Sequence, residues 1–239
     1  MPDLYLLDYP FLEKDTVFHV GALDPQAKLD NPGRSSLEAF CLSVSEEPDD
    51  WRNIAELGDA PEWGLSRPGS LFVDALALTD PQRREIETWA VERGYGERQE
   101  MWRAYQYDPE AEEWRYSNHE DMYAALDEAD EDVELGDGPA KDGTCVEKAD
   151  GLVLTDEGMN ALQCWGDRSF GLDGAIILFS REVLAKLDPG IVGIWWEEDY
   201  DPLNLSCPRG GVFPEKVESF KITEYAEEPD AEEDEDFDP

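Results

Sequence analysis

Basic residues are scarce in this chain, with 19 Lys and Arg against 59 Asp and Glu, a formal charge of −40 over 239 residues. Affinity for a nucleic-acid backbone comes mostly from Lys and Arg neutralising phosphates, so direct binding of that kind is excluded, and an anionic membrane surface is excluded by the same repulsion. Histidine is nearly absent. Only His19 and His119 occur, so chemistry built on a His pair has a single combination available. The four cysteines, Cys41, Cys145, Cys164 and Cys207, form no CxxC, and no HxxxH accompanies them. That excludes the usual zinc frameworks and a thioredoxin-like pair, and no metal site is expected. Cys41, between Phe40 and Leu42, reads as a reduced, buried thiol. No apolar run approaches the roughly 20 residues of a membrane span, and Met-Pro-Asp-Leu-Tyr lacks a basic leader, so the expected location is cytoplasmic. GxGxxG, P-loop, HExxH and GxSxG elements are all missing, which leaves classical nucleotide-fold and metalloprotease readings without support.

What is present argues for a folded core. Hydrophobic residues make up 41% and aromatics 11%, with eight Trp, whereas an acidic disordered chain would be poor in aromatics. The charge is uneven. Residues 226–239 hold nine acids and no base, and residues 108–137 hold thirteen acids against Arg115 alone. The expected organisation is therefore a single α+β domain over 1–225, with an acidic segment at 108–143 as an insertion and a disordered acidic tail at 226–239. Such runs serve as solvated surface, as an imitation of DNA phosphates facing a basic protein, or as adaptation to high salt, the last suggested by only seven Lys.

Strands are expected at Leu4–Leu7, Thr16–Gly21, Phe40–Val44, Leu71–Leu78, Ala175–Phe179 and Ile191–Asp199, with late strand material at Val212–Phe213 and Val217–Ile222. Helices are expected after Ser45, carrying Trp51, Ile54 and Ala55; from Asp80-Pro81 to Gly94, with Ile86, Trp89 and Ala90 as the inner stripe; over Asn118–Ala129, with Met122, Ala125 and Ala129 inward; after Thr155; and after Ser180. The aromatics between Glu100 and Tyr116 read as a β-hairpin. Irregular alternation of these elements gives α+β, with mixed and mostly antiparallel sheets flanked by short helices.

Two places break their local rules. His19 is a polar ring inside the apolar strand Val17-Phe-His-Val-Gly21, and Trp195-Trp196 runs into the acids Glu197, Glu198 and Asp199. A carboxylate beside large aromatics can act as a base or stabilise charge. Ser43 and Ser45 lie at period two on one strand face, and Arg209 sits in a Gly-rich loop, Leu205–Gly211, suited to an anion or to a turn. This order of pieces resembles the ADP-ribosyltransferase-like fold, including small phage-encoded inhibitors built on it. The resemblance rests on Phe18-His-Val-Gly21, the hydroxyl-bearing second strand and the late Gly193-Ile-Trp-Trp-acid strand. It implies NAD as cofactor, catalytic roles for His19 and for Glu197, Glu198 or Asp199, and cofactor contacts from His19, Ser43, Ser45, Trp196 and Arg209. The alternative is a non-enzymatic acidic inhibitor, DNA mimic or immunity-type protein that binds a basic protein surface.

Overall fold

The computed structural model describes residues 9–23, 41–108, 113–129, 139–140, 144–162, 168, 171–197 and 207–225. Numbered along the chain, the strands are β1 Phe11–Glu13, β2 Thr16–Val20, β3 Leu42–Ser45, β4 Glu62–Ser66, β5 Leu71–Asp74, β6 Gly96–Asp108, β7 Glu113–His119, β8 Val146–Leu154, β9 Ile191–Glu197, β10 Arg209–Val212 and β11 Lys221–Tyr225. The helices are α1 Pro48–Ile54, α2 Asp80–Arg93, α3 Met122–Glu128, α4 Asp156–Leu162 and α5 Gly171–Phe179. Helix α5 runs on through a π turn, Ser180–Leu184, into a last α turn, Ala185–Leu187, and a 3₁₀ helix spans Pro214–Ser219.

The fold is α+β. Eight strands form one sheet in the order β1-β5-β9-β10-β3-β2-β4-β11, in which only β5 and β9 run parallel. The remaining three form an antiparallel sheet, β7-β6-β8. On one side of the large sheet, Val73, Ile194 and Trp196 pack with Ile86, Trp89 and Ala90 of α2 and with most of α5. On the other side Leu42, Val44, Phe72, Trp195 and Val212 close against Val217 and Phe220. Among the described residues no helix is long and apolar enough to cross a membrane.

Helix α2 follows its sequence signals closely. The Gln82 side chain reaches back to the Thr79 amide at 2.7 Å, Pro81 occupies the first turn, and Gly94 ends the helix at φ 77°. Thr155 Oγ1 accepts the Gly158 amide at 3.1 Å ahead of α4. Cys41 is fully buried, as expected.

Several expectations need correction. Ala175–Phe179 is helix rather than strand: α5 is buried on all sides, from Gly171 to Phe179 apart from Leu172 and Asp173, so its apolar run carries no periodicity to separate helix from strand. Ser180 does not cap a new helix but continues α5. Ser45 does not cap α1 either; that position belongs to Glu47, whose amide donates to Ser45 Oγ at 2.9 Å. Asn118 belongs to β7, and of the side chains expected to point inward from α3, Met122 is exposed while Ala125 is buried. Arg209-Gly-Gly211 is not a loop but part of β10, between β9 and β3. A Cβ on Gly210 would collide with the Trp195 ring, and one on Gly211 with Cys41 and, at 3.0 Å, the Trp196 ring. Here the glycines permit close packing of a central strand. The Leu4–Leu7 strand and the 226–239 tail lie outside the described residues.

Candidate functional site

The sequence candidates come together on four neighbouring strands. Phe18 of β2 pairs with Ser45 of β3, Ser45 with Arg209 of β10, and Arg209 with Glu197 of β9, forming one row across the sheet. Beside this row β2 and β3 separate, since Phe18↔Ser45 is their one paired position. The His19 ring lies there, 5% exposed. Its Nδ1 lies 2.8 Å from the Ser43 carbonyl and its Nε2 3.1 Å from the Ala22 carbonyl. Gly21 next to it holds φ 126°. Its amide donates to the Pro61 carbonyl at 2.8 Å, and its carbonyl accepts the Trp63 indole N–H at 2.9 Å.

The other candidates are also held by the protein itself. Ser45 Oγ donates to the Pro208 carbonyl at 2.6 Å, tying the end of β3 to the start of β10. The Arg209 guanidinium lies 5.3 Å over the Trp51 ring of α1. Trp196 is buried in the core against α2 and α5. Ser43 is buried and lends its carbonyl to His19. Glu197 ends β9 opposite Arg209, and Glu198 and Asp199 lie outside the described residues. Both His19 nitrogens face main-chain carbonyls, the Ser45 hydroxyl donates to Pro208, and the Trp196 ring is buried. His119, the other histidine, lies on β7 with Nε2 2.7 Å from Ser117 Oγ, on the opposite sheet from His19.

The small sheet presents a different kind of surface. Its hairpin carries the cross-strand pairs Tyr107–Trp114, with ring centroids 5.4 Å apart, and Tyr105–Tyr116, 6.1 Å apart. The Arg103 guanidinium lies 4.2 Å over the Tyr116 ring and donates to Asn118 Oδ1 at 3.1 Å, which fixes the ladder at its base. Tyr105 donates to Glu147 at 2.7 Å, and burial, followed by that hydrogen bond, pushes its phenol above the ordinary tyrosine range. Helix α3 packs on β6 and β7 through the single buried side chain Ala125, leaving Met122, Tyr123 and Leu126 exposed. Five of the ten exposed large hydrophobics among the described residues, namely Tyr107, Tyr116 and these three, therefore lie on this arm. Residues 96–129 also contain ten acids against three arginines. The aromatic spacing in the sequence revealed the hairpin; the exposure of its side chains, and the outward face of α3, required the structure.

No protein family, no curated protein and no solved structure matches this chain.

Proposed function

We propose that the protein is a non-enzymatic binding protein whose β6–β7–α3 arm engages a basic protein surface. The observation that carries this reading is the concentration of exposed aromatic and aliphatic side chains on one acidic arm. Aromatic faces and carboxylates together suit Lys and Arg side chains: the carboxylates steer the approach, the rings take cation–π contacts, and apolar burial holds the complex. Total charge alone would attract any basic partner to any part of the surface. The arm is what would make the contact specific.

The test separates these two contributions. Binding of a fluorescent deca-arginine peptide and of a panel of basic globular proteins is measured for the native chain and for Tyr107→Ser/Tyr123→Ser, which leaves the charge unchanged. The expected result is at least a tenfold loss of affinity for a globular partner in the double variant, with a further steep loss between 50 and 300 mM salt. Equal affinity of native chain and variant for every basic protein in the panel would remove the arm from the interaction.

A second reading, an ADP-ribosyltransferase-like enzyme using NAD, is favoured by one observation, the row that brings His19's strand, Ser45, Arg209 and Glu197 together. For it to hold, His19 must exchange its carbonyl contacts for substrate.

A further inference from the structure

In a chain this acidic, a pocket lined by four arginines stands apart. Arg83 and Arg84 come from α2, Arg98 and Arg103 from β6, and together with Tyr116 they line a cavity of about 270 Å³. Three carboxylates, Asp80, Glu87 and Asp150, also line it, so the pocket has a local formal charge of +1 within a molecule of −40. Helical spacing explains half of the arrangement: Asp80, Arg83, Arg84 and Glu87 fall three, four and seven residues apart and share one helix face, turned toward β6. The strand order explains the other half, because β6 follows directly after α2.

The four guanidiniums are held to different degrees. Arg83 is anchored, with Nε donating to the Leu78 carbonyl at 3.0 Å and Nη2 to the Ala75 carbonyl at 3.2 Å. Arg98 is positioned by Glu87 through one 2.7 Å contact from Nη2. Arg103 lies over Tyr116, with Nε donating to Asn118 Oδ1 and Nη2 to the Asp150 carbonyl at 3.4 Å. Arg84 is exposed and makes no side-chain hydrogen bond or ion pair among the described residues. Arg84, Arg98 and Arg103 thus line one cavity from two elements, with Arg84 the least engaged of the three. A carboxylate has two oxygens and is served by one guanidinium fork, whereas a phosphate monoester has three and is matched by several forks from different directions.

We propose that this pocket binds a small phosphate monoester, with Arg84, Arg98 and Arg103 as oxyanion ligands and Arg83 as a fixed positive wall. The cavity, open on one side to solvent, has room for a phosphate with a small attached group. Repulsion from the rest of the molecule does not prevent this. At physiological ionic strength the Debye length is about 8 Å, so the arginines of the pocket outweigh more distant carboxylates. The pocket shares Arg98, Arg103 and Tyr116 with the arm, but its ligand has the opposite charge to the arm's basic partner.

Isothermal titration with inorganic phosphate, phenyl phosphate and acetate at 150 mM NaCl tests it. The expected result is saturable binding of both phosphates, tighter than acetate, weakened at least tenfold in Arg84→Ala and unchanged in Arg93→Ala. Arg93 is on the same helix but outside the pocket, and it pairs with Glu182 at 3.6 Å. Arg84→Ala disturbs no described side-chain contact, and its melting temperature serves as the folding control. Absence of saturation by either phosphate, equal binding of acetate, or an equal loss in Arg93→Ala would each overturn the proposal.

Discussion

His19 shows how a residue that breaks the local pattern can serve the fold. The ring lies where β2 and β3 part, and its nitrogens are within hydrogen-bond distance of the Ser43 and Ala22 carbonyls. His19→Ala removes the ring's hydrogen bonding and packing, and a loss of about 2 kcal/mol in urea unfolding is expected. The same variant separates the two functional readings. If the histidine is structural, the native chain consumes no NAD and His19→Ala changes stability alone. NAD consumption by the native chain that disappears in a still-folded His19→Ala would reverse that conclusion. His19 was visible in the sequence as a polar residue in an apolar strand, but its partners, Ser43 and Ala22, were not. One partner lies 24 positions away, and only the separation of two strands brings it close.

Among the elements, the hairpin and α2 were legible and α5 was not. Alternating aromatics and a capped amphipathic stripe are local patterns, and each survives in the structure as β6–β7 and Asp80–Arg93. The third strand of the small sheet, β8, pairs with β6 across about fifty residues, with Trp102 opposite Lys148. No local pattern announces such a partner. One consequence is measurable by pH. Tyr105 of β6 donates to Glu147 of β8, and its folded-state pKa lies above the unfolded value. The pair's stabilisation is therefore fully present below about pH 10, the ordinary tyrosine value, and is lost as pH rises through the raised folded value. Tyr105→Phe should lower stability by about 1 kcal/mol at pH 7, and urea titrations from pH 7 to 11 should show a shallower alkaline loss in the variant than in the native chain. Parallel alkaline profiles would mean that the phenol–carboxylate pair does not couple the strands.

For the molecule as a whole, −40 means self-repulsion that salt relieves. Raising NaCl from 10 mM to 0.5 M should increase the melting temperature by about 5 °C, roughly 2 kcal/mol for a chain of this length, with little further gain above. A salt-independent transition would show that the carboxylates are too well hydrated and too far apart to strain the fold. The four-arginine pocket was the least legible feature, although a signal existed: five of the 19 bases fall between residues 83 and 103. Arg83 and Arg84 stood out as a pair on a helix face, but nothing in the order of residues placed Arg98 and Arg103 opposite them. The α+β class, the aromatic hairpin, the boundaries of α2 and the acidity of the surface were already dictated by composition and short-range pattern, because each depends on residues within a turn or a strand of one another. The central placement of β10, the helical state of α5, the wedge made by His19 and the facing of α2 arginines onto β6 depend on contacts between residues far apart in the chain. Burial and close packing settle those, and they exist only once the sheets have formed.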